Sequence, residues 1–142
     1  TMRLPWLIAL LCAALHSTVF AQNYEYLDGS ANLYKIAPGT LEYVPVTRAQ
    51  SSSGLYSGGS PATVTLQDAD YQSLLRLFDQ AIAAKAFQTD QRVKLSGLVR
   101  KQDPSAERTV EVILKPNAAV KTRIEKTLRK LVKPTCAATG PC

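Results

Sequence analysis

The chain has 142 residues, 46% of them hydrophobic and 20% charged, with a net charge of +6, one histidine, one tryptophan and three cysteines. That length fits one domain rather than two, and it buries a core without needing several disulfides. The charge is uneven: residues 22–90 carry 4 basic and 7 acidic side chains, residues 91–142 carry 12 basic and 4 acidic, so the C-terminal part is the one suited to an anionic partner.

Residues 1–21 have the order of a secretory signal peptide. Arg3 gives the positive start, Trp6 to Leu15 the apolar run, and Val19-Phe20-Ala21 the small residues at −3 and −1. The apolar run is short of the roughly 20 residues a spanning helix needs, and Leu11 stands before Cys12 where a lipoprotein signal wants a small residue. Cleavage after Ala21 removes Trp6, Cys12 and His16, leaving a secreted or periplasmic chain without histidine. Ser-His-Asp and Cys-His arrangements then cannot be built, and the commonest general base is missing.

Gln22 to Ser30 is polar and bears tyrosines, and reads as a loose arm. Leu33–Ile36 and Leu41–Val44 flank Ala37-Pro38-Gly39-Thr40, a β-hairpin pattern in which Tyr34 and Tyr43 pair across the strands. Residues 48–61 form a Ser/Gly-rich loop without regular structure. Within it, Leu55-Tyr56 is an exposed apolar tip suited to partner contact, and Gly54, Gly58 and Gly59 permit a backbone anion nest. No lysine follows at P-loop spacing, and Leu55 stands where a nucleophile elbow needs glycine.

Ala62 to Leu66 reads as a short strand leading into a helix over Asp68–Lys85, with Thr65 and Asp68 as a capping box. Tyr71, Leu74, Leu75, Phe78 and Ile82 share its apolar face. Asp68 and Asp70 suit the positive end of that helix, and the calcium-loop pattern is missing. Alternation then predicts a strand over Val93–Arg100, a loop at Gln102–Ser105 and a second strand over Thr109–Lys115. Pro116 ends it and Asn117 is an N-cap candidate for a helix over Ala118–Lys133 with a Val120, Ile124, Leu128, Leu131 stripe.

Lys121, Arg123, Lys126, Arg129, Lys130 and Lys133 are expected to face away from that stripe, opposed only by Glu125. Lys94, Arg100, Lys101 and Arg108 extend them into a broad basic face for anionic lipid headgroups, polysaccharide or another acidic polymer. Nucleic acid is not expected, for want of aromatics on that face. Residues 134–142 form a tail in which Cys136 and Cys142, with five residues between them, are candidates for a local disulfide. Their spacing matches no common zinc motif, and neither metal nor cofactor is expected.

The order ββ, loop, (β)α, ββ, α gives a small two-layer α+β domain: two antiparallel hairpins with two amphipathic helices on one sheet face. The function expected is an exported, non-enzymatic binding or interaction domain of the cell envelope or extracellular space. Its mature form has no transmembrane helix, and its partner is an anionic envelope component or a protein. The alternatives are a secreted protease inhibitor presenting residues 51–61 and a histidine-free hydrolase using carboxylates or a Ser/Lys pair. N-terminal sequencing of the secreted chain is expected to begin at Gln22; a chain that keeps His16 restores the histidine chemistries.

Overall fold

Tyr24 and Tyr26 alternate with Asn23, Glu25 and Leu27, the two-residue period of a strand with one buried face. This segment forms β1 (Asn23–Leu27) in the computed structural model, which describes residues 22–133. It is followed by β2 (Leu33–Ala37), β3 (Thr40–Val44), β4 (Ala62–Thr65) and α1 (Asp68–Ala83). A 3-10 turn at Lys85–Phe87 leads to β5 (Gln88–Thr89), β6 (Gly97–Asp103), β7 (Arg108–Leu114) and α2 (Ala119–Val132). The strands make one antiparallel sheet of order β4-β3-β2-β1-β6-β7-β5. The segment expected to be a loose arm is therefore the central strand, and the two expected hairpins belong to a single seven-stranded sheet.

The α+β class and the two layers are as the sequence predicts. Tyr24, Tyr26, Tyr34, Ile36, Leu41, Val99 and Leu114 point from the sheet into one core with Leu74 and Phe78 of α1 and Val120, Ile124 and Leu128 of α2. The β2–β3 hairpin has the expected pairing, with Tyr34 opposite Tyr43 and their ring centroids 4.8 Å apart.

Other boundaries move for identifiable reasons. β6 begins at Gly97, not Val93. The Ser96 hydroxyl and amide both donate to the Val93 carbonyl, closing a turn, and Leu95 has φ +67, a left-handed conformation no strand adopts. Val93 and Leu95 are left half exposed, at 50% and 53%. At its other end β6 runs through the expected loop, pairing Gln102 with Thr109 and Asp103 with Arg108. Neither predicted cap forms. Thr65 is held in β4 opposite Thr40, and Asn117 lies in a turn closed by the Ala118 amide on Lys115. The N-cap positions are instead Gln67 and Ala118, neither of which makes a side-chain cap hydrogen bond.

β1 joins the two layers through its tyrosine hydroxyls. Tyr24 Oη donates to Asp79 Oδ1 of α1 at 2.7 Å, and Lys101 Nζ reaches the same oxygen at 3.0 Å. Tyr26 Oη donates to Glu125 Oε1 of α2 at 2.7 Å, and Lys121 Nζ pairs with that oxygen at 2.8 Å. Burial first, and the neighbouring carboxylate next, push both phenols far above their ordinary value, so both remain donors. Gly97 is required beneath Tyr26, because a Cβ there would meet Tyr26 Oη at 2.7 Å.

The helix-free face is ordered in cross-strand rows. Glu42, Lys35, Glu25, Arg100 and Glu111 lie side by side on β3, β2, β1, β6 and β7, with signs alternating along the row. Arg100 closes it tightly, 2.6 Å from Glu25 and 3.0 Å from Glu111. One pleat away, Val44, Leu33, Leu27, Leu98 and Ile113 form a parallel apolar row. Direct cross-strand neighbours of this kind fix the register.

In urea unfolding, Tyr26→Phe is expected to lower stability by about 2 kcal/mol, the scale of a buried hydrogen bond to a charged group. Gly97→Ala is expected to cost about 1–3 kcal/mol through overpacking on the same ring. A wild-type midpoint for either variant contradicts this role for Tyr26.

Candidate functional site

The five-residue connection after β1, Asp28 to Asn32, is shaped by one carboxylate. Asp28 Oδ1 accepts the amides of Ser30 and Asn32, and Oδ2 accepts Asn32 Nδ2. This arrangement holds Asn32, 4% exposed, where its remaining groups reach the Ser/Gly loop. Asn32 Oδ1 accepts the Val46 amide at 2.9 Å, and Nδ2 donates to Tyr56 Oη at 2.9 Å. Tyr43 Oη donates to the Gly58 carbonyl at 2.6 Å, and the Gly58 amide donates to Val46. A Cβ at Gly58 would collide with Asn32 and Pro45, so the close approach of the loop depends on that glycine.

The loop braced in this way forms one wall of a groove of about 700 Å³. Tyr34, Tyr43 and Val64 come from the sheet, and Tyr56, Ser60 and Pro61 from the loop. Asp28, Ser30 and Asn32 line the end nearest the first turn, and Arg129, Val132 and Lys133 come from the C-terminal end of α2. The volume is that of a small-ligand site. A second hollow of about 430 Å³ shares Ser30 and Tyr56 and is lined by Gln50, Ser51, Ser52 and Ser53.

The six cations predicted as one basic face divide into three sets. Arg129 and Lys133 line the groove. Arg123, Lys126 and Lys130 are exposed outside it. Lys121, expected at the surface, is buried at 8% exposure, because Glu125 one turn on and the Tyr26 hydroxyl give its ammonium an ionic partner inside the domain. Nor do Arg100 and Lys101 extend the face, since one is engaged by Glu25 and Glu111 and the other by Asp79. Among the described residues neither Arg129 nor Lys133 is within ion-pair distance of a carboxylate.

Leu55 is 82% exposed at the loop tip, as expected, whereas Tyr56 folds back into the groove wall. Cys136 and Cys142 lie outside the described residues, as does the 1–21 segment. Among the described residues no group of three or more His, Cys, Asp or Glu is placed to hold a metal, and no helix is long and apolar enough to cross a membrane. Ser30 and Ser60 share the groove with Lys133, but all three are exposed and so lack the desolvation that activates a Ser–Lys pair.

No family model, no curated protein and no solved structure matches the chain. The groove's own chemistry is what bears on function.

Asn32 is a groove residue that the sequence did not single out, whereas Tyr34 and Tyr43 belong to a set of six tyrosines for which cross-strand packing is the default reading and a glycan-binding surface the weaker one. Tyr34 and Tyr43 carried a signal, the aromatic pair across the hairpin; Asn32 carried none beyond its place before a strand. Asn32→Ala is expected to release the loop and speed proteolysis within residues 48–61, with a stability loss of about 1–3 kcal/mol from the orphaned Val46 amide and Asp28. Unchanged cleavage in that segment contradicts the bracing role.

Proposed function

We propose that this is an exported, non-enzymatic binding domain of the cell envelope or extracellular space, holding an anionic ligand in the groove between the Ser/Gly loop and the end of α2. One observation carries the reading: the two features singled out in the sequence, the loop and the cationic helix, meet in one concavity. Among the described residues, two cations without ion-pair partners border it, against a single carboxylate, Asp28, whose oxygens already accept three hydrogen bonds. Concave sites with an apolar lining and a few convergent polar groups are where ligands bind, and the surplus positive charge favours an anion.

A second reading keeps the protease-inhibitor class, since Leu55 stands exposed on a loop braced just after it, at Tyr56 and Gly58. The two separate by mutation. For the groove reading, Arg129→Glu with Lys133→Glu is expected to reduce binding to an anionic polysaccharide about 10-fold or more, whereas Arg123→Glu with Lys130→Glu has a smaller effect. Leu55→Ala leaves it unchanged. Wild-type binding is expected to weaken as ionic strength rises above about 0.1 M. Salt-independent binding, or equal loss from both double variants, overturns the assignment to the groove.

A further inference from the structure

Among the described residues of the groove, Tyr34 is the one whose burial and hydrogen bonding do not match. Its ring is 5% exposed, packed between Tyr26 and Tyr43. Its neighbours' hydroxyls are all engaged: Tyr26 with Glu125, Tyr43 with Gly58, Tyr56 with Asn32. Among the described residues Tyr34 Oη has no partner, yet no buried side-chain oxygen or nitrogen is left without one. The hydroxyl is therefore the part of this side chain that reaches the groove surface. Burial first, and the Asp28 carboxylate next, raise its ionisation far above the ordinary phenol value, with Arg129 acting in the opposite sense. Tyr34 accordingly presents a protonated O–H in the electrostatic range of Arg129.

The rest of the groove lining defines what fits against it. Tyr56 Oη accepts from Asn32 and keeps its own proton to donate. Ser30 and Ser60 add two exposed hydroxyls, and Arg129 and Lys133 add charge-assisted donors. Hydroxyls both donate and accept, which suits a ligand bearing hydroxyls of its own. Tyrosine carbon and Val64 and Val132 supply apolar surface for the C–H face of a ring. The adjoining hollow behind Tyr56 and Ser30 continues the hydroxyl lining through Ser51, Ser52 and Ser53, giving room for a second unit. A peptide carboxylate satisfies the two cations but not this array of hydroxyls.

We infer that the groove takes an acidic saccharide, seating the carboxylate of one uronic-acid unit between Tyr34 Oη, Arg129 and Lys133. This rests on the anion-binding reading above and specifies its ligand class. The test is calorimetric titration of the full chain with a galacturonic acid trimer, a galactose trimer, a hexaglutamate peptide and inorganic phosphate. The uronate trimer is expected to bind at least about 10-fold more tightly than the other three, because it alone meets both the cations and the hydroxyls. Tyr34→Phe is expected to weaken it about 10-fold, the scale of one hydrogen bond to a charged group, while leaving the thermal unfolding midpoint unchanged, since that hydroxyl has no partner within the fold. Arg129→Gln weakens it by a similar factor.

Tighter binding of hexaglutamate or phosphate, still lost in Arg129→Gln, overturns the saccharide assignment and leaves the anion groove standing. Equal binding of the galactose trimer overturns the carboxylate's role, as wild-type affinity in Tyr34→Phe overturns that of the hydroxyl. No binding of any of the three anions overturns both this inference and the reading beneath it.

Discussion

The domain depends on two hydroxyls of one strand, Tyr24 and Tyr26, each of which crosses the core to a carboxylate on a different helix. A carboxylate taken out of water costs several kcal/mol unless it is paired and hydrogen-bonded. Glu125 meets that condition twice, through Lys121 and through Tyr26. Asp79 is half exposed, so the Tyr24 arrangement faces water and contributes less through its ion pair. The inner cluster is the more consequential because removing Glu125 takes the partner from both the Tyr26 hydroxyl and the buried Lys121 ammonium. It also determines where α2 lies on the sheet, and hence where the helix ends. The groove cations follow one and two turns after Glu125, so a register set in the core positions the charges at the rim.

A second polar hub, Asn32, does for the loop what Tyr26 does for the helix. All its side-chain groups are used, and each partner belongs to a different stretch of chain: Asp28 before it, Val46 after β3, and Tyr56 within the loop. Composition alone makes the Ser/Gly segment a linker, since such sequences bury little apolar surface. Here polar contacts to an otherwise buried amide supply the order that apolar burial does not. The helix-free face shows the same economy in another form, with alternating charges in one row satisfying each other across five strands, as solvated faces of antiparallel sheets allow.

What was legible in the sequence follows periodicity. The β2–β3 hairpin and the stripes on both helices could be read because apolar residues recur at the spacing of the element, and Pro38-Gly39 marks the turn. β1 has the same alternation, but its inward residues are tyrosines and its outward ones include Asn23 and Glu25, so the stretch looks polar. Its centrality comes from pairing with β6, a long-range fact no local pattern contains. Lys121 misled for a related reason. A lysine beside an apolar stripe faces water unless something inside can accept its charge, and the acceptor here is completed by a strand about a hundred residues earlier in the chain. The parts of the groove were visible separately in loop and helix; their meeting, and the part played by Tyr34, follow from the sheet order.

The order of the strands also bears on how the chain can fold. β1 is made first, yet one of its two neighbours is β6, and the cross-strand partners Glu25 and Arg100 lie 75 residues apart. The acceptor for Tyr26 lies 99 residues downstream, in the last helix. Non-local closure of this kind is slow, because the loop must be ordered before its contacts form. A nascent chain that stops short of α2 therefore has both sheet neighbours of β1 but lacks Glu125, and leaves the Tyr26 hydroxyl unmatched in the middle of the core. One that stops earlier still, before β6, leaves β1 with an unpaired edge available to other chains.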